Sequence, residues 1–126
     1  MKAQELDSDA KRKTIEDAAE DKKANYITTL NLRDRTLIAD FFIICSGTSN
    51  VHIRSIADGI MEAMEKHGIR QSALEGYSEG AWVLLDYGDV VAHIMSEEHR
   101  SFYKLEGLWG TAAQAGQEMA PQAPAE

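Results

Sequence analysis

The stretch Ala81-Trp82-Val83-Leu84-Leu85-Asp86-Tyr87-Gly88-Asp89-Val90-Val91-Ala92-His93-Ile94-Met95-Ser96 reads as two strands, 81–87 and 89–96, joined across Tyr87-Gly88. Residues rich in Val, Ile, Leu and aromatics on either side of a glycine turn are the signature of a β-hairpin. Side chains in a strand alternate between faces. Val83, Leu85, Val90, Ala92 and Ile94 therefore share one purely aliphatic face, suited to burial under helices. The opposite face carries Trp82, Leu84, Asp86, Val91, His93 and Met95. A two-residue turn at Tyr87-Gly88 sets Leu84 opposite Val91 and Trp82 opposite His93. A bulged turn with Gly88 in the left-handed region would move the pairing by one and exchange the faces, so the first register is preferred because it leaves a clean core face. The mixed face has two readings. It is a second core face capped by the first or last helix, or it is a partner site, because Trp and Met are enriched at interface centres. In the second case truncating Trp82 costs roughly 2 kcal/mol or more of binding.

Outward from the hairpin, residues 7–24 read as a helix with Ile15, Ala18, Ala19 and Lys22 at helical spacing. Residues 26–32 have strand propensities and 31–36 form a polar turn. Asp40-Phe41-Phe42-Ile43-Ile44-Cys45-Ser46 is a near-continuous apolar run, expected of a central strand covered on both faces. Gly47-Thr48-Ser49-Asn50 breaks it and supplies an N-cap for a helix to His67, with Ile53, Ile56, Ala57, Ile60 and Met64 on one stripe and Gly68 as terminator. Residues 69–74 form a weaker strand, and 75–80 a loop with two glycines and two glutamates. Residues 97–108 suit a final helix, and 111–126 (Ala, Gln, Gly and Pro with two acids) are expected to be a disordered tail. The order α-β-β-α-β-β-β-α predicts an α/β fold, a mixed sheet of about five strands with packed helices, within a single domain over residues 1–110.

A chain of 126 residues with 44% hydrophobic and 27% charged residues can bury a core without disulfides or metals. Its one cysteine, Cys45, sits in an apolar run and fits a reducing, cytoplasmic setting. Residues 1–10 lack an apolar stretch and are acidic, which predicts neither a secretory signal nor a transit peptide. No run of membrane-spanning length occurs. The net charge is −8, and residues 26–110 hold seven basic against twelve acidic side chains. Neutralising phosphates takes a cationic patch, so direct binding to DNA is not expected, whereas a basic protein partner suits the charge.

Other constellations are weaker. The turn at residues 47–50 could cradle an anion at a helix N-terminus, but it lacks the glycine spacing and lysine of phosphate loops. Cys45 with His52 could be nucleophile and base, though a thiol inside an apolar strand is usually inert. His93, His99 and Glu97 match no standard zinc spacing, and no cofactor or metal is expected. Asp86 and Asp89 flank a turn, which explains them as well as paired-acid chemistry does. Arg100, Tyr103 and Lys104 either rim a binding surface or form a solvated helix face.

Taken together, Lys22-Lys23-Ala24, Leu32-Arg33, Ala39-Asp40-Phe41-Phe42-Ile43-Ile44-Cys45-Ser46-Gly47-Thr48-Ser49, Ile56-Ala57-Asp58, Glu75-Gly76, the run from Trp82 to His93, and Tyr103-x-Leu105-Glu106-x-Leu108-Trp109-Gly110 resemble the ribosomal silencing factor, or Iojap, family over about residues 6–110. The resemblance implies a fold similar to nucleotidyltransferases without their catalytic acids, and no enzymatic activity. It implies binding to the large ribosomal subunit through its fourteenth protein, steric block of small-subunit joining, and repression of translation under nutrient limitation. It further implies that the tryptophan at position 82 lies in that contact, and that such chains can pair as homodimers. Leu84, Asp86, His93 and Met95 join Trp82 as candidate partner-binding residues on the face argument, and Arg100 joins them as a last-helix residue that could rim the surface. The sequence departs from the family in its more polar first strand and its Ala/Gln/Pro tail. The competing reading is a nucleotidyltransferase-like enzyme holding a nucleotide at residues 47–50. It is weakened because Asp58 has no second acid two residues away to share Mg²⁺.

Overall fold

The computed structural model describes residues 6–34 and 39–99. Among these residues, two helices and five strands follow in the order α1 (Ser8–Asp21), β1 (Asn25–Asn31), β2 (Phe41–Gly47), α2 (Asn50–Glu65), β3 (Ala73–Glu75), β4 (Trp82–Asp86) and β5 (Val90–Ser96). The strands form one mixed sheet in the order β1-β2-β5-β4-β3. Only the β2–β5 pair is parallel; its neighbours are antiparallel. The expected α/β fold with a five-stranded mixed sheet is thus realised.

Each helix is delimited by local chemistry. Asp7 caps α1 by accepting the Ala10 N–H at 2.9 Å, and Ser49 caps α2 by accepting the His52 N–H at 3.1 Å, each satisfying a donor that the first turn leaves unpaired. Helix α2 ends on Gly68 (φ +76°), with the Ile69 N–H returning to the Met64 carbonyl. Helix α1 ends in the same manner, the Ala24 N–H reaching the Ala19 carbonyl, but here a lysine, Lys23 (φ +65°), takes the left-handed position. That reversal stops the helix at Asp21, short of the expected residue 24.

Both helices bury their apolar stripes on one side of the sheet. Ile15, Ala19, Ile53, Ile56, Ile60 and Met64 pack with Ile43, Cys45, Val83, Leu85, Val90, Ala92 and Ile94 in one core. The aliphatic hairpin face expected from alternation is the face the helices cover. The central strand β2 is buried along its whole length, as its continuous apolar run requires. On the other side of the sheet, Phe42, Ile44, Trp82, Val91 and Met95 cluster with Leu32 and Ala39.

The hairpin register corrects the expected one. The turn is centred on Gly88-Asp89: Tyr87 N–H donates to the Val90 carbonyl at 2.9 Å, and Gly88 takes φ +89°. This is the glycine-first, two-residue hairpin turn. Trp82 therefore faces Met95, Leu84 faces His93 and Asp86 faces Val91. Moving the turn by one residue moves the pairing by two, so the parity of every side chain, and hence the sorting of faces, is unchanged. The strand expected at 69–74 is only Ala73–Glu75; residues 69–72 serve to leave α2 and rejoin the sheet, where the Ser72 N–H donates to the Asp86 carbonyl. The first strand starts at Asn25 and ends at Asn31, with a bulge between Asn25 and Thr28. A helical turn opens at 97–99. The remainder of the expected last helix and the 111–126 tail lie outside the described residues.

Candidate functional site

The face of the sheet opposite the helices assembles five of the six candidate residues. β4 supplies Trp82, Leu84 and Asp86, and β5 supplies His93 and Met95. Arg100, like Tyr103 and Lys104, lies outside the described residues. The five differ sharply in exposure. His93 and Met95 have no exposed surface, Trp82 retains 8%, and Leu84 and Asp86 are half-buried.

Trp82 is held by a hydrogen bond that the sequence did not signal. Its indole Nε1–H donates to His93 Nδ1 at 3.2 Å, and the two rings stand edge-on with centroids 6.1 Å apart. The Phe42 ring also packs against the imidazole, tilted to it, with centroids 4.9 Å apart. Because Nδ1 accepts, the proton of neutral His93 sits on Nε2. That Nε2 and the Ser46 hydroxyl have no hydrogen-bond partner among the described residues. Burial pushes the His93 pKa down to about 4, because the interior penalises the imidazolium. His93 is therefore neutral near pH 7 and a dependable acceptor for the indole.

Beside Trp82 the surface opens into a cleft of about 280 Å³ lined by Glu75, Gly76, Glu79, Ala81, Trp82, Leu84 and His99. Its rim is the 76–80 loop, which is tied down from several sides. Gly76 (φ +78°) passes so close to β4 that a Cβ would sit 2.0 Å from the Trp82 carbonyl oxygen, and the Gly80 N–H donates to the Gly76 carbonyl at 3.0 Å. Tyr77 donates its hydroxyl proton to Asp58 at 2.8 Å, and Arg54 donates to the Ser78 carbonyl at 3.1 Å. The Tyr77 pKa is raised, chiefly by that hydrogen bond to Asp58. Across the cleft, the Ser96 hydroxyl accepts the His99 N–H at 3.0 Å, and the His99 ring lies 6.1 Å from the indole. Glu75, Glu79 and His99 were not anticipated as neighbours of Trp82. The only sequence signal was the pair of Glu and Gly residues between two strands.

The remaining candidates are engaged in structural roles. Asp86 accepts the Gly88 N–H within the hairpin turn at 2.8 Å, and Asp89 is paired with Lys11 at 2.8 Å. Cys45 is buried in the helix-covered core. His52 Nδ1 accepts the Thr48 N–H at 2.9 Å, and its Nε2–H donates to the Lys22 carbonyl at 2.9 Å. The turn at residues 47–50 is therefore closed by its own side chains: the Thr48 and His52 amides that an anion would need are already bonded. A Cβ on Gly47 would meet the Ile53 side chain at 2.7 Å, so glycine is there for close packing. No group of three or more His, Cys, Asp or Glu residues able to hold a metal occurs among the described residues.

The family model described as "Ribosomal silencing factor during starvation" matches residues 5–126. The chain is 44% identical over 95 residues to the ribosomal silencing factor RsfS of Halalkalibacterium halodurans, covering 75% of this chain and 81% of the relative. It is 42% identical to that of Bacillus subtilis, covering 75% and 80%. It is also 37% identical over 95 residues to the chloroplastic Iojap protein of Zea mays, covering 75% of this chain and 41% of that longer protein. Among solved structures, a protein of Chromobacterium violaceum superposes with a TM-score of 0.81 at 31% identity, covering 83% of this chain and 88% of that one. One from Bacillus halodurans superposes with a TM-score of 0.71 at 39% identity, covering 78% and 91%. On its sequence and its fold alike, the chain belongs to the ribosomal silencing factor family.

Proposed function

We propose that this protein is a non-enzymatic translation repressor of the cytoplasm. It binds the large ribosomal subunit through that subunit's fourteenth protein, blocks joining of the small subunit by occupying its place, and lowers translation when nutrients are scarce. The observation that carries this reading is the sheet face opposite α1 and α2, where Trp82 is fixed by His93 and flanked by half-buried Leu84 and Asp86. A rigid aromatic beside partly exposed apolar surface is the usual centre of a protein interface. In this arrangement Trp82 and Leu84 meet the partner, while fully buried His93 and Met95 act through them. The net charge of −8 suits a basic ribosomal protein.

Co-sedimentation with purified large subunits tests the reading. Wild type pellets with the subunit. Leu84→Lys, which places a cation at a half-buried apolar position of this face, remains in the supernatant while staying folded by circular dichroism. Trp82→Ala also loses binding. Subunit joining, followed by light scattering, falls as wild type is added and is unaffected by Leu84→Lys. Failure of wild type to pellet, or unchanged pelleting of both variants, refutes the assignment.

A further inference from the structure

We infer that the cleft beside Trp82 is a receptor for one basic side chain, an arginine of the protein partner, with Glu75 and Glu79 as its anionic rim and the indole as its wall. The inference rests on the proposed function for the identity of the partner, but its geometry stands apart from it. Two exposed carboxylates, Glu75 and Glu79, edge a cleft whose walls are Trp82, Leu84 and Ala81. Among the described residues neither carboxylate has an ion-pair partner. Among the described residues, the nearby cation Arg54 donates to the Ser78 carbonyl.

The chemistry selects the ligand. A volume of about 280 Å³ falls at the lower limit of small-molecule sites, roughly 300–1,000 Å³, and suits a single inserted side chain. An indole attracts cations over its face, and a guanidinium adds planar stacking and a fork of donors for carboxylates, which an ammonium lacks. An anionic or neutral group would meet two uncompensated carboxylates. The rim is also built in advance. Gly76 and Gly80 adopt left-handed conformations, the Gly80 N–H closes the loop on Gly76, and Tyr77 and Arg54 anchor it to α2. A partner side chain therefore enters without first ordering the loop, which removes one of the costs of association.

Two measurements on the full chain test this. In the first, the Trp82 indole N–H resonance, assigned by its loss in Trp82→Phe, is followed while N-acetyl-arginine amide, its lysine counterpart and its neutral citrulline counterpart are added. The arginine derivative moves the resonance saturably, the lysine derivative less, and citrulline little; Glu75→Gln/Glu79→Gln abolishes the difference. In the second, that double variant co-sediments with large subunits roughly fivefold more weakly than wild type, as expected for two rim carboxylates, and Glu62→Gln on α2 does not. Equal response to arginine and citrulline, together with wild-type pelleting of the double variant, overturns the cleft assignment and leaves the ribosome reading standing. A Glu-dependent arginine response in a protein that does not pellet does the reverse.

Discussion

Trp82 and His93 depend on each other through a single hydrogen bond, and the consequences are measurable. Trp82→Phe keeps most of the buried ring but leaves His93 Nδ1 without its donor. Leaving a buried acceptor unpaired costs about 1–3 kcal/mol, to be read as a lower urea midpoint with an unchanged slope. The same histidine couples stability to pH. Its folded pKa is depressed to about 4 from 6.5, so below pH 6.5 the unfolded chain takes up a proton that the folded chain refuses. Its contribution is fully present above pH 6.5 and is lost as pH falls towards 4. Between pH 6.5 and 5 this single group removes about 2 kcal/mol. Denaturant unfolding at the two pH values measures the loss, and His93→Gln, which does not titrate, shrinks it. If the variant shows the same pH dependence, other groups are responsible. The identity of these residues and their shared face were legible from strand alternation. Their burial and the indole–imidazole bond were not, because the bond depends on the register of β4 on β5 and the burial on packing against β2, where Phe42 lies beside the imidazole.

Among the elements, the chain reversals carry the sharpest expectations. At Gly76 any side chain meets both a left-handed backbone and the Trp82 carbonyl oxygen. Gly76→Ala is expected to cost about 2 kcal/mol or more and to weaken the cleft by displacing the loop, read as a lower melting midpoint and a shifted Trp82 indole resonance. At Lys23 the reverse holds: a non-glycine residue occupies the left-handed position that ends α1. Lys23→Gly relieves that strain and is expected to raise stability by roughly 0.5–1 kcal/mol, read as a higher urea midpoint. Helix starts and stops were readable because Asp7, Ser49 and Gly68 act on their own neighbours. The stop at Lys23 was not, because lysine carries no local signal for that conformation. The hairpin turn lies one residue beyond the position its sequence suggests for a related reason: both Tyr87-Gly88 and Gly88-Asp89 offer a glycine, and only pairing along the whole of β4 and β5 decides between them.

For the molecule as a whole, the two sides of the sheet have divided tasks. One carries the helices and the larger core; the other carries Trp82, the cleft and a smaller apolar cluster. Residues 111–126 carry two acids, no base and no amphipathic stripe. Their removal is expected to leave the melting midpoint and large-subunit binding unchanged, which differential scanning and co-sedimentation of a chain ending at 110 would check. A loss of either would assign the tail a role that its composition does not suggest. The sequence by itself determined the element types, the parity of each strand and the acidic character that favours a basic partner, because propensity, alternation and charge are properties of neighbours along the chain. Only the tertiary structure decided that His93 and Met95 are sealed while Leu84 stays partly open, and that Glu75, Glu79 and His99 surround Trp82. Exposure and proximity are set by segments distant in sequence, through the register of β4 on β5 and the anchoring of the 76–80 loop on α2.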